Sequence, residues 1–229
     1  MKRIISIFLV CLTILTLTIP AFAAEQQTAS GRFEDVKAGA YYYDAVYWAV
    51  SSGITSGTDQ THFSPHQACT RAQVATFIWR CFGSQKPKAL ICPFRDVKQS
   101  DYYYNAVLWC FENNITSGTS YNTFSPNASC TRGQVAVFLY RMTVLRKGWD
   151  FSDVNFDKQI VEAIISSNSW MRFEDVSFDD YYGHAVYALE RWEIVSGVTE
   201  HPHLFRPNRT CTRAEVVTML YRYWNHNWS

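Results

Sequence analysis

Two kinds of apolar stripe alternate along the chain. In the first, Tyr42, Ala45, Val46, Ala49 and Val50 recur at helical spacing, which predicts an amphipathic helix. Gly53 follows as a C′ residue that tolerates a left-handed backbone, and Asn114 stands at the same place in a later copy. In the second stripe Val74, Phe77, Ile78 and Cys81 fall at i, i+3, i+4 and i+7, on one face of another helix. Between them lie Ile54-Thr-Ser-Gly57, a polar loop, and Phe63-Ser-Pro65. The unit is helix, loop, helix, and it occurs three times.

The second helix of each unit opens with Cys69-Thr-Arg-Ala-Gln73, Cys130-Thr-Arg-Gly-Gln134 or Cys211-Thr-Arg-Ala-Glu215. Thr70, Thr131 and Thr212 suit the N-cap, and Gln73, Gln134 and Glu215 complete capping boxes. Cys69, Cys130 and Cys211 then take the first position of a hydrophobic staple, opposite Val74, Val135 and Val216. That placement predicts free, buried thiols. Arg71, Arg132 and Arg213 fall at N1. A guanidinium there should point into solvent beside unpaired backbone N–H groups, a favourable place for an anion. The helix dipole disfavours a cation at this end, so three repetitions of the choice suggest a task. N1 lies outside the capping box, so removing the arginine should leave the fold intact. Gly133 replaces alanine and should weaken its helix by up to about 1 kcal/mol.

Phe33-Glu-Asp-Val36, Phe94-Arg-Asp-Val97 and Phe173-Glu-Asp-Val176 open the three copies. The first two align without a gap, 61 residues apart (33 to 94), and the third carries two extra residues between Gly197 and Phe205. The units are 31–84, 92–144 and 173–225. Repeated units of this kind stack because none can bury its faces alone. Asp35, Asp96 and Asp175 read as caps or structural hydrogen-bond partners, and Phe63, Phe124 and Phe205 as pins for the loop. Gly57, Gly118 and Gly197 are expected at backbone angles that other residues avoid. Trp48 and Trp109 fit either a core or a groove wall. The stretch 145–172 is an insert in which Phe151-Ser-Asp-Val154 and Ile160, Ile164 and Ile165 resemble half a unit; an amphipathic linker helix is the alternative.

Residues 1–23 read as a signal peptide: Lys2 and Arg3, a short apolar run, then Ala21-Phe-Ala23 as a cleavage signal. Nothing downstream is apolar over the roughly 20 residues that span a bilayer, so no membrane contact is expected after cleavage. The formal charge of +1, from 21 basic and 20 acidic residues without charge runs, argues against nucleic acid as a partner. Aromatics make up 16% of the chain, suited to a core, an interface or surfaces that stack on sugars. No C-x-x-C spacing suggests a metal, and nothing suggests a cofactor.

Phe-x-Asp-Val, a Tyr-rich helix, Ile-Thr-x-Gly, Phe-x-Pro and Thr-Arg-Ala-Glu/Gln, in that order and three times over, resemble the S-layer homology repeat of bacterial surfaces. The resemblance implies a mainly α fold of three helix-loop-helix repeats in a pseudo-threefold arrangement around a central helix bundle. It implies grooves that bind secondary cell-wall polysaccharide, often through a pyruvate ketal on an amino sugar, with Arg71, Arg132 and Arg213 as the main ligand residues. Around them the candidate glycan-binding set takes in Thr70, Thr131, Thr212, Gln73, Gln134, Glu215, Asp35, Asp96, Asp175, Trp48, Trp109, Gly57, Gly118 and Gly197. Only the third copy keeps the motif's Glu, so Arg213 is expected to matter most.

The expected function is noncovalent anchoring of a secreted protein at the cell wall or S-layer, without catalysis. A surface assembly protein contacting other surface proteins is the alternative. A glycan-active enzyme would need paired carboxylates or a nucleophile beside a base; no His or Ser recurs beside the repeated Asp. The cleavage signal predicts that N-terminal sequencing of the exported protein starts near Ala24; an intact Met1 on the mature form would refute it.

Overall fold

The computed structural model describes residues 31–149, 173–199 and 203–228. The expected signal peptide at 1–23 lies outside them, as does the part of the expected half-unit at 145–172 beyond residue 149. Among the described residues there are six helices and no strands: α1 (Tyr43–Ser51), α2 (Arg71–Cys81), α3 (Tyr104–Glu112), α4 (Arg132–Lys147), α5 (Gly183–Arg191) and α6 (Arg213–Asn225). The protein is mainly helical, and none of these helices is long and apolar enough to cross a membrane.

The local signals act as the sequence suggests. Thr70, Thr131 and Thr212 accept from the N3 backbone N–H, and Gln73, Gln134 and Glu215 accept in turn from the cap backbone N–H. Ala45, Val46 and Ala49 bury one face of α1, and Val74, Phe77 and Ile78 one face of α2. Gly53 and Asn114 end the first helix of their units at φ +69° and +57°. In the third unit Glu193 takes this conformation, at φ +58°. The helix at 132 runs past the expected end of its unit to Lys147, where Gly148 stops it at φ +65°.

Packing between units is cyclic. α2 lies on α3, α4 on α5, and α6 on α1. At the helix starts the backbone follows the same cycle. Cys130 N–H donates to the Cys69 carbonyl at 2.8 Å, Cys211 N–H to Cys130 at 2.8 Å, and Cys69 N–H to Cys211 at 2.9 Å. The three cysteines are fully buried, and all six cysteines of the described residues are free. Burial pushes the Cys69 and Cys130 thiols up to about 12 and raises Cys211 well above its ordinary value, so these side chains behave as small apolar groups.

The aspartates of Phe-x-Asp-Val hold the Phe-x-Pro loops. Asp35 accepts from Phe63 N–H at 2.9 Å and Ser64 N–H at 2.7 Å. Asp96 does the same for Phe124 and Ser125, and Asp175 for Phe205 and Arg206. Ser64, Ser125 and Arg206 sit at φ +58°, +59° and +56°, a conformation that costs a non-glycine residue about 1–2 kcal/mol. Two charge-assisted bonds from one carboxylate offset that cost. Gly57 and Gly118 take φ +92° and +86°, and a Cβ on either would lie 2.6 Å from the ring of Phe33 or Phe94. Gly197 departs from expectation: its φ is outside the left-handed range, and a Cβ there would meet the His203 ring at 2.9 Å.

Gly133 also proves to be more than a weak helix residue. A Cβ there would come within 2.9 Å of the Tyr182 ring and 3.2 Å of the Pro207 carbonyl, so glycine permits close approach of the third unit. For the loops the expected outcome is clear. Asp96→Ala should lower stability by roughly 2–4 kcal/mol in denaturant unfolding, because two N–H groups lose a charged acceptor at a strained turn. Asp96→Asn, which keeps one acceptor, should lose less.

Candidate functional site

The three N1 arginines do not point into solvent. Each is 3% exposed. The backbone N–H groups around them are also taken: Arg71 and Ala72 donate to the carbonyls of Ala128 and Pro126, Arg132 and Gly133 to Arg209 and Pro207, and Arg213 and Ala214 to Gln67 and Pro65. The expected open helix N-terminus is therefore closed in each case by the next unit, whose turn supplies that one helix start with two of its missing acceptors. What each guanidinium does is reach across. Arg71 Nε donates to the Phe124 carbonyl at 2.8 Å, Arg132 Nε to Phe205 at 2.8 Å, and Arg213 Nε to Phe63 at 2.9 Å. The planes lie over the same phenylalanine rings, with the guanidinium carbon 4.8, 4.5 and 4.7 Å from the centroids. Burial lowers all three arginines from their ordinary values, which start high enough to leave them charged at neutral pH. A truncation here would remove cross-unit bonds as well as a charge, so the expectation that these side chains are dispensable for folding does not hold.

The far edges of the guanidinium groups face the glycine loops. A cavity of about 330 Å³ is lined by Arg71, Thr116, Ser117, Gly118, Thr119, Gln134, Val137, Phe138, Arg141 and Tyr181. A second, of about 410 Å³, is lined by Tyr41, Arg132, Val195, Ser196, Gly197, Val198, Arg209, Glu215, Thr218, Met219 and Arg222. Both are assembled from all three units: an arginine from one, a loop and helix from the next, and a tyrosine from the remaining one. The third arginine follows the same rule. Arg213 Nη2 donates to Thr55 Oγ1 at 3.3 Å, Arg80 Nη1 to the Ile54 carbonyl at 2.9 Å, and Tyr102 feels the charge of both arginines.

Two sets of residues at these sites were not singled out in the sequence. Tyr41, Tyr102 and Tyr181 are equivalent by repeat register and are 66%, 65% and 68% exposed. Burial is the first cause of their raised phenol pKa values, and each also lies in the field of a groove arginine from another unit. Arg80, Arg141 and Arg222 are likewise equivalent and bring a second guanidinium to each site. Repeat register was the available signal: a large aromatic or cationic side chain kept at a fixed place without an apolar-stripe role.

Other candidates are placed differently. Asp35, Asp96 and Asp175 are committed to the loops, and Thr70, Thr131, Thr212, Gln73 and Gln134 to capping boxes, although Gln134 also lines the Arg71 cavity. Trp109 is 3% exposed and packs on Phe82. Trp48 packs on Tyr221 and, with Trp224 and Arg80, lines a smaller cavity of about 190 Å³. Gly118 and Gly197 line the two larger cavities. Among the described residues no cluster of three His, Cys, Asp or Glu side chains is placed to hold a metal ion.

Glu215 does not serve Arg213, its neighbour in the motif. It accepts from Arg132 Nη1 at 3.0 Å, from Arg209 Nη2, and from Thr212 N–H at 2.8 Å. The argument that Arg213 should dominate because its own copy keeps the Glu therefore fails: the Arg and Glu of one motif face different sites.

Residues 32–75 and 93–136 match the S-layer homology domain. The third copy, at 173–225, lies outside the matched segments. The chain is 25% identical to an endoglucanase from Bacillus sp. (strain KSM-635) across 99% of its own length and 23% of that protein's. It is 30% identical to the surface-layer 125 kDa protein of Lysinibacillus sphaericus over 51% of this chain and 10% of that one. A cell surface protein of Thermoanaerobacter kivui is 29% identical over 49% of this chain and 15% of its own. The chain thus spans less than a quarter of the length of these relatives. The S-layer homology match and the two surface-protein relatives indicate association at the cell surface, with the cell wall or S-layer.

Burial raises the Glu215 carboxyl, but the Thr212 N–H and the Arg209 and Arg132 guanidinium groups outweigh it and hold it below the ordinary value. The Arg132 shift has the opposite meaning, since burial lowers it despite Glu215; only Glu215 titrates in the acid range. A depressed folded pKa contributes stability that is complete above the unfolded carboxyl value, about 4.3, and is lost as pH falls through the folded value. Glu215→Gln should therefore flatten the acid limb of the stability–pH curve, measured by urea unfolding between neutral and acid pH. An unchanged limb would show that the pair does not couple to folding.

Proposed function

We propose that the protein anchors noncovalently to the cell surface by binding secondary cell-wall polysaccharide bearing pyruvate ketals. The observation that carries this reading is the composition of the two larger cavities: two guanidinium groups in one and three in the other, each with an exposed tyrosine, brought together from three units. A ketal carboxylate on a sugar matches that pair of features. The guanidinium groups can receive the planar carboxylate by charge-assisted bonds, and the tyrosine offers a face for the ring. On this reading the units 31–84, 92–144 and 173–225 are three S-layer homology repeats about a pseudo-threefold axis, following 1–23 as a signal peptide, with 145–172 inserted.

The same side chains argue for binding rather than catalysis. The ionisable groups that line the two cavities are arginines, tyrosines and one carboxylate already paired with two of those arginines. A glycosidase needs two carboxylates facing one bond. A polymer that repeats its unit can occupy more than one site at once, and effective concentration then multiplies modest single-site affinities, by roughly 10²-fold or more.

Sedimentation with purified walls tests the reading. The protein should pellet with intact walls and stay in the supernatant when ketal pyruvate has been removed. Because the N1 arginines are buried, the variants of choice are Tyr41→Ser, Tyr102→Ser and Tyr181→Ser together and, separately, Arg141→Ser. The triple tyrosine variant should retain its circular dichroism and lose wall binding by about tenfold or more. Binding that ignores both pyruvate removal and the tyrosines would overturn the proposal.

A further inference from the structure

We propose that the arginine sites are unequal because one is filled from within: Glu215 occupies the Arg132 site as an internal carboxylate, and the Arg71 site is left to receive a carboxylate from outside. The glycan reading enters only in naming that external carboxylate as a sugar ketal.

In the Arg132 site all three nitrogens of the Arg132 guanidinium have an acceptor. Nε donates to Phe205, Nη1 to Glu215 and Nη2 to the Ser196 carbonyl at 3.0 Å. Glu215 is pinned further by Arg209 and by the Thr212 N–H. An incoming carboxylate would have to displace a carboxylate already held by two guanidinium groups.

The Arg71 site lacks these parts. Gln134 stands where Glu215 stands, a neutral amide turned to the Thr131 N–H at 3.2 Å. Ala128 stands in register with Arg209. Arg71 Nη2 is buried and has no hydrogen-bond partner, while its residue lines the 330 Å³ cavity with Arg141. A buried guanidinium nitrogen without an acceptor is costly, so this atom calls for one. The other groups whose charge reaches Arg71 are Asp96, Tyr181 and the Cys130 thiol. Asp96 is already committed to Phe124 and Ser125, and the Cys130 thiol is held neutral by burial. The Tyr181 hydroxyl makes no hydrogen bond to Nη2 either. None of the three supplies the missing acceptor, and an external anion can.

The test uses the isotope-labelled protein and follows the guanidinium Nε–H resonances of Arg71 and Arg132, each held by a phenylalanine carbonyl. Sodium pyruvate is titrated at neutral pH, with sodium chloride at matched ionic strength as the control. In the parent protein the Arg71 resonance should shift to saturation and Arg132 should not respond. In Glu215→Gln, Arg132 should begin to respond, reaching half-saturation at a pyruvate concentration at least about tenfold below the highest at which the parent's Arg132 stays silent. The variant should fold, since glutamine already serves this capping box at Gln73 and Gln134. The proposal is overturned if Arg132 responds in the parent as strongly as Arg71, if it stays silent in Glu215→Gln, or if Arg71 does not respond at all. Wall sedimentation run beside it separates the two ideas: walls that fail to bind a protein whose Arg71 answers pyruvate would sink the glycan reading and leave this one standing.

Discussion

Each N1 arginine leaves its own helix and donates to a phenylalanine carbonyl in the next unit, and the rest of the structure depends on that crossing. Burying a guanidinium is expensive, and an isolated one would not stay. Here the carbonyl, the aromatic face beneath the plane and the turn that closes the helix start all come from one neighbouring segment. That segment is itself held at a strained serine or arginine by the aspartate of its own opening motif. Asp, Phe-x-Pro and Thr-Arg are therefore one mechanical chain: the first fixes the loop, the loop receives the arginine, and the arginine locks two units together.

Much of this was legible from residues alone. Apolar spacing located both helices of a unit, and Thr with Gln or Glu three residues on marked the cap. Gly53 and Asn114 marked the first helix end. The aspartates were read as hydrogen-bond partners and are such partners. What failed did so for one reason. Helix-end rules treat a helix as if its N-terminus faced water, whereas here a distant segment supplies the acceptors and covers the arginine. Local sequence also gave no sign that Glu215 belongs with Arg132, 83 residues away. Gly133 has a second role that propensity cannot show, since propensity says nothing of the Tyr182 ring that needs the space.

The motif Thr-Arg-Ala-Glu is thus not a site. Its arginine works in one groove and its acidic or amide residue in another, and the tyrosines and second arginines come from positions outside it. Ranking copies by how well each keeps the motif cannot rank the grooves. The differences that matter lie in combinations: Glu215 and Arg209 together with Arg132, against Gln134 and Ala128 with Arg71.

Sharing of every groove among three units has a consequence for how such a protein could arise. One copy owns no complete groove, and two copies in tandem still lack the tyrosine or the arginine that the remaining copy lends. The third copy closes the cycle and completes all three sites in one step. Binding capacity would then grow with gene duplication as a threshold, not a slope. After that step every copy lends walls to more than one site, so the record of divergence in one copy is spread over sites that it shares with the others.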